Sequence, residues 1–224
     1  MKTIWLGQAG LLLETKNVKI MVDPYLSDSV EKINPLNYRR KEIDFSFFDI
    51  KPDVIILTHN HLDHTDPETL NVFLKKYSNI TVLASKNAWE TSRKIGGCNN
   101  YVMFNRHTVW SENGIKYTAV KAEHSDDYAI GVIIDDGSEV CYITGDTLYN
   151  SEIFGDIPSK IDILFLPVNG VGNNMNFTDA LNFANKTRAE KVVPVHYGLF
   201  DEIDISKFNC SNKVVLTMYK EKEI

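Results

Sequence analysis

Val54-Ile55-Ile56-Leu57 runs without a polar interruption into Thr58-His59-Asn60-His61-Leu62-Asp63-His64. A continuous apolar run of this length suits a strand buried on both faces, which requires a covering layer on either side. Four side chains of metal-ligating type then follow directly at the strand's end. His and Asp are costly to bury without partners, and the neighbouring sequence offers them none. Alternate positions of an extended segment point the same way, so His59 and His61 can reach one cation. Asp63 and His64 then point elsewhere and can serve a second. The plain alternative is a solvated turn that caps a helix. A helix is expected next in any case: Thr65 or Asp66 can cap it, Pro67 suits its first turn, and Leu70, Phe73 and Leu74 recur at helical spacing.

Three further candidates stand at the ends of predicted strands. His124 follows a strand over 116–122, Asp146 follows one over 139–144 within Thr144-Gly145-Asp146-Thr147, and His196 follows one over 191–195. Strand ends on one side of a sheet are where α/β sites gather. A single His after a strand is more often a satisfied polar core residue, so the weight rests on the set. It absorbs five of the six histidines and leaves His107, read as structural or exposed. The donors are nitrogen and oxygen only, which suits Zn²⁺, Mn²⁺, Fe²⁺ or Ni²⁺. Cys141 sits on a predicted strand and reads as core.

Elsewhere the pattern predicts strands over 3–6, 11–14, 18–22, 81–84, 129–135 and 161–166, an edge strand over 214–218, and helices over 87–94 and 177–187. Asp136-Gly137 marks a hairpin turn. Residues 27–50 form a long connection holding Pro35, Arg39-Arg40, Phe45, Phe47 and Phe48, expected to be a lid or cap over a site, with reach enough to touch a neighbouring subunit in a homo-oligomer. Helices interspersed among strands predict a layered α/β domain. With 224 residues, 43% of them hydrophobic, one domain spanning 1–224 is expected.

Composition narrows the partners. Lys and Arg number 24 against 30 Asp and Glu, a net charge of −6 with no basic stripe, so nucleic acid is not expected. The apolar runs fall far short of the roughly 20 residues a bilayer span needs. The first residues, interrupted by Gly7, Gln8 and Gly10, read as strand rather than signal peptide. Cys98, Cys141 and Cys210 are odd in number and lack a CxxC spacing, which suits a reducing cytoplasm.

The set resembles the metallo-β-lactamase superfamily: the THxHxDH signature as residues 58–64, a third His at His124, an Asp in a Gly-Asp pair at Asp146, and a final His at His196. The resemblance extends from Trp5-Leu6-Gly7 through Asp23-Pro24 to Pro194-Val195-His196-Tyr197. Leu166-Pro167-Val168-Asn169-Gly170, Asn174-Met175 and Val193-Pro194-Val195-His196 are similar to the branch containing the L-ascorbate-6-phosphate lactonase. Gln8 stands where many small relatives carry His.

The resemblance implies an αββα sandwich, two mixed sheets flanked by helices, with two divalent metal ions at one edge. His59, His61 and His124 would hold one ion, Asp63, His64 and His196 the other, and Asp146 would bridge them. Asp23 would support a ligand by fixing an imidazole tautomer. Asp63 is the candidate to orient the attacking water and carry its proton. Asn169, Asn174 and Tyr197 are candidate substrate contacts, and Arg39, Arg40 and Arg106 are candidates for binding an anion. The expected reaction is hydrolysis of a lactone or ester of a small sugar-like acid, phosphorylated or not. The alternatives are cleavage of a small phosphodiester and a non-hydrolytic protein that binds metal.

Overall fold

Lys16 and Asn17 both lie at positive φ, 50° and 62°, the backbone a two-residue hairpin turn demands. The chain therefore reverses tightly between β2 (Gly10–Thr15) and β3 (Val18–Val22), and β1 (Lys2–Gly7) pairs antiparallel with β2. The computed structural model describes all residues, 1–224. After β3 the chain makes a long excursion through α1 (Ser29–Ile33) and a 3₁₀ turn at Phe45–Asp49. It returns as β4 (Val54–Leu57), parallel to β3. Then α2 (Pro67–Lys76), β5 (Thr81–Ala84), α3 (Lys86–Ile95) and β6 (Asn100–Met103) extend the parallel half of the first sheet.

The second sheet takes β7 (Val109–Glu112), β8 (Ile115–Lys121), β9 (Ile130–Asp135) and β10 (Val140–Ile143) as antiparallel neighbours. It continues in parallel with β11 (Ile163–Pro167) and, after α4 (Phe177–Thr187), β12 (Lys191–Val195). A last strand, β13 (Glu221–Glu223), closes the first sheet beside β1. The sheet orders are β13-β1-β2-β3-β4-β5-β6 and β12-β11-β10-β9-β8-β7.

The alternation within β4 shows how the layers stack. Val54 and Ile56 face the core between the sheets with Leu11, Ile20, Val132 and Phe165. Ile55 and Leu57 face outward, where Leu70, Phe73 and Leu74 of α2 and Ala88 of α3 cover them. On the far side, Ala180, Phe183 and Ala184 of α4 belong to the inter-sheet cluster's outer rim, with Phe183 against Tyr142. The result is the expected αββα sandwich.

One expectation needs correction, and two features go beyond what was expected. Residues 214–218 form no strand; they meet the sheets through a single bridge from Met218 to Trp5 and a hydrogen bond from the Val214 N–H to the Val192 carbonyl. The edge is instead Glu221-Lys222-Glu223, an exposed charged triplet without apolar alternation, held by the open hydrogen-bonding edge of β1. Strands β6 and β7 were not anticipated from their sequence. The segment 27–50 holds more local structure than a bare connection: Phe48 packs on Phe73 of α2 and Phe47 on Tyr219.

Candidate metal centre

The loop after β4 carries His59, His61, Asp63 and His64, and two neighbours fix its path. Asp66 caps α2, accepting from the backbone N–H groups of Glu68 and Thr69, with Pro67 at the first turn. The Thr65 hydroxyl donates to the His59 carbonyl at 2.6 Å, folding the loop back on itself. From the other sheet, Asp126 accepts from the Asn60 N–H at 3.1 Å and from Asn87 Nδ2 at 2.8 Å. Sequence reading passed over Asp126 because no local spacing connects it to residue 60.

Asp23 follows β3 at φ 43° and is fully buried. Its Oδ1 accepts from the Thr58 N–H at 2.8 Å, and its Oδ2 accepts from the Thr58 hydroxyl at 2.6 Å and faces His64 Nδ1 at 2.8 Å. Gly145 brings Asp146 in close: at φ +62°, a Cβ there would lie 2.7 Å from the Ile130 carbonyl oxygen, so a side chain is excluded. His196 leaves β12 at φ 60° and is tied to Gln8 by its backbone N–H, 2.8 Å from the Gln8 carbonyl.

These elements bring seven donor side chains together. His59, His61 and His124 form one group; His59, His64 and Asp146 a second; Asp63, His64 and His196 a third; within each, the ligand atoms lie within 4.8 Å of one another. His61 Nδ1 and His124 Nε2 are 3.2 Å apart, and His64 Nε2 and His196 Nε2 are 3.3 Å apart. Ring nitrogens bound to one tetrahedral cation at ordinary zinc–nitrogen distances stand about 3.3 Å from each other. His59 Nε2 and Asp146 Oδ1 are buried without any hydrogen-bond partner, a costly condition that a cation would relieve. The donor set therefore fits divalent metal.

The electrostatics point the same way. Burial pushes the pKa of His59 well down, reinforced by its histidine neighbours. Burial also opposes charge on His64 and His196. There the carboxylates of Asp146 and Asp63 win, lifting His64 well above its usual range and His196 to about 10. Those two histidines in turn hold Asp63 and Asp146 below the usual carboxylate range against the opposing effect of burial. The carboxylates concentrate a negative field on the spot where the nitrogens converge.

The centre forms the floor of a cavity of about 490 Å³, with His61, Asp63, Asp146 and His196 at the bottom and Val30, Asn37, Asn169, Val171, Phe200 and Asp201 in the walls. Val30 and Asn37 belong to the 27–50 segment, so part of that segment does wall the site. Gln8 also lines it, donating from Nε2 to Asp63 Oδ2 at 3.2 Å. Its only visible signal in the sequence was its place where relatives carry His.

The candidate substrate contacts divide. Asn169 reaches the cavity, its Nδ2 3.0 Å from His196 Nδ1. Asn174 also lines the cavity but is nearly buried: Nδ2 donates to Asp146 Oδ2 at 2.8 Å and Oδ1 accepts from the Thr147 N–H at 3.0 Å, so its carboxamide is engaged in holding Asp146. Tyr197 turns away into the inter-sheet core and packs on Trp5 at 4.9 Å between ring centroids. The three arginines are engaged elsewhere. Arg39 donates to the Tyr25 carbonyl and the Tyr219 hydroxyl, Arg40 pairs with Glu202, and Arg106 forms a fork with Asp156. His107 lies exposed, away from the centre.

Two mixed sheets flanked by helices, with seven nitrogen and oxygen donors gathered at one edge, define a metallo-β-lactamase type of architecture. Residues 2–196 match the model of the beta-lactamase superfamily domain, and the chain belongs to that superfamily. Among its relatives, a UPF0173 protein of Pyrococcus furiosus is 27% identical over 212 residues, covering 93% of this chain and 89% of that one. A UPF0173 metal-dependent hydrolase of Thermoplasma acidophilum is 29% identical over 213 residues, covering 91% and 86%. Among solved structures, the metallo hydrolase Igni18 of Ignicoccus hospitalis superposes with a TM-score of 0.76 at 20% identity, over 100% of this chain and 98% of that one. An isothiocyanate hydrolase from Delia radicum gut bacteria gives 0.73 at 16% identity, over 100% and 99%. These likenesses establish the fold. No helix is long and apolar enough to cross a membrane.

Proposed function

We propose that this protein is a metal-dependent hydrolase that opens a lactone or ester of a small sugar-like acid. The observation that carries the reading is the convergence of seven donors, with His59 Nε2 and Asp146 Oδ1 unpartnered, on the floor of a cavity open to small molecules. The curated relatives named as metal-dependent hydrolases over most of this chain support the metal-dependent hydrolase part of the reading. His59, His61 and His124 would hold one divalent ion, Asp63, His64 and His196 a second, with Asp146 between them; Zn²⁺ and Mn²⁺ are the first candidates, then Fe²⁺ and Ni²⁺. Bound there, such ions supply Lewis acidity and bring the pKa of water toward neutrality.

The chain's own groups supply the rest. Asp63 is the most accessible carboxylate of the centre, its side chain 19% exposed, and its Oδ2 is anchored by Gln8. It is placed to orient a water and to carry its proton to the leaving oxygen. Asp23 holds the His64 ring through Nδ1, leaving Nε2 free to ligate. Gln8, Asn37 and Asn169 offer carboxamides to a hydroxylated substrate, while Val30, Val171 and Phe200 exclude water from its apolar edges. Asp201 in the same wall opposes an added phosphate, which favours the unphosphorylated substrate.

The test is initial hydrolysis rate, after loading with Zn²⁺ or Mn²⁺, on one panel of lactones, phosphorylated lactones and small phosphodiesters. Lactone turnover abolished by EDTA is expected, with the phosphorylated forms slower. Diester cleavage without lactone turnover would overturn the substrate class.

A further inference from the structure

Two amide nitrogens converge on one ring nitrogen of His196. Asn169 Nδ2 lies 3.0 Å and Gln8 Nε2 3.4 Å from His196 Nδ1, while the matching oxygens, Asn169 Oδ1 and Gln8 Oε1, are both buried without a partner. A neutral imidazole nitrogen makes one hydrogen bond, either as donor or as acceptor. Two NH₂ groups on one nitrogen beside two orphaned oxygens is thus an arrangement that a half-turn of one carboxamide improves. Gln8 is not the group that turns. Its Nε2 also donates to Asp63 Oδ2 at 3.2 Å, and a turned Gln8 would set its oxygen against that carboxylate. Asn169 Nδ2 has no such second bond to lose, so a half-turn about its terminal torsion places Oδ1 on His196 Nδ1 and moves the NH₂ group to the place Oδ1 leaves, beside the cavity.

We propose that Asn169 is the positioning residue for His196: its side-chain oxygen accepts the Nδ1–H proton and thereby fixes the tautomer whose Nε2 carries a free lone pair. That Nε2 already faces Asp146 Oδ2 at 3.2 Å, Asp63 Oδ2 at 3.4 Å and His64 Nε2 at 3.3 Å, the point where the metal reading needs a ligand. This inference rests on that reading. It gives the two histidines of the third group different supports: His64 is backed by the carboxylate of Asp23, His196 by a neutral carboxamide. Partners of this kind orient a ligand ring and set its basicity.

Aspartate and leucine at position 169 separate an acceptor from a donor. Aspartate keeps the acceptor and removes the NH₂ group; leucine has similar volume and neither. Zn²⁺ affinity is measured by chelator competition, with histidine side-chain ¹⁵N shifts as a second readout and Asn169→Ala as the substitute if leucine is not accommodated. Asn169→Asp is expected to bind Zn²⁺ within about threefold of the parent or more tightly, and Asn169→Leu roughly 10- to 100-fold more weakly. In the aspartate variant the ¹⁵N shifts should keep the Nδ1–H tautomer of His196. Equal loss in both variants would show that the NH₂ group matters and overturn the proposal, as would unchanged affinity in Asn169→Leu. A parent protein that takes up no Zn²⁺ at all would instead overturn the metal reading of the centre, and this inference with it.

Discussion

At the scale of single residues, Asp23 does the most with the least surface. One buried carboxylate accepts from the Thr58 N–H and hydroxyl and backs the His64 ring, which couples loop geometry to ligand orientation. Asp23→Ala leaves those donors without a partner in a fully buried place, so it is expected to cost on the order of 3 kcal/mol in stability. It should also weaken metal affinity roughly 10- to 100-fold; denaturant titration and chelator competition check the two effects separately. Asp63 differs because it lies at the cavity floor rather than under it. Asp63→Asn is expected to fold normally and lose roughly 10²-fold or more in kcat, read from steady-state kinetics at saturating metal, and undiminished turnover would remove its assigned role. His59, His61 and His64 were visible in the sequence because they are adjacent. Gln8 and Asn169 were not visible in their roles, since they meet His196 across 188 and 27 positions of chain, and only the packed sheets bring them there.

At the scale of elements, local rules governed what was legible. Helix α2 was readable in its start and its buried face because Asp66, Pro67 and the Leu70, Phe73, Leu74 stripe agree. Asp66→Ala is expected to cost about 1 kcal/mol, seen as a lower melting temperature. Strand β13 was illegible for the opposite reason: its pattern is charged throughout, and the open edge of β1 recruits it through backbone hydrogen bonds, which side chains do not announce. The β9–β10 hairpin was readable from Asp136-Gly137, and Asp136 adds a pH signature. Burial alone would raise its pKa, but hydrogen bonds from the Ser138 and Thr15 hydroxyls and the Ser138 and Glu139 amides outweigh that and hold it below the usual carboxylate range. A depressed native pKa stabilises the fold above the unfolded value near about 3.9 and loses that stabilisation as pH falls through the native value. Asp136→Asn is therefore expected to cost roughly 1–3 kcal/mol at pH 7, with the gap from the parent closing below about pH 4. Denaturant midpoints at the two pH values measure this.

At the scale of the whole molecule, the centre joins the two sheets. Asp23 and the His59 to His64 loop leave β3 and β4 of the first sheet, whereas His124, Asp146 and His196 leave β8, β10 and β12 of the second. A layered α/β domain was legible because buried runs alternate with amphipathic helices, and its αββα form followed from the family resemblance. The candidate donors were legible because four cluster after one predicted strand and three follow the ends of others. The closure of the two sheet edges onto one point was not readable from any single element. It carries a consequence for stability: a cation held by ligands from both sheets binds only the folded chain, and at a hundredfold excess over its Kd it adds about 2.7 kcal/mol. The most direct measurement is metal content per chain after equilibration with Zn²⁺ and removal of free ion, read alongside the melting temperature with and without EDTA. The account predicts close to two ions per chain, a melting temperature lowered by EDTA, and loss of bound ion in His59→Ala. A chain that retains no ion, with one melting temperature in both conditions, would contradict it.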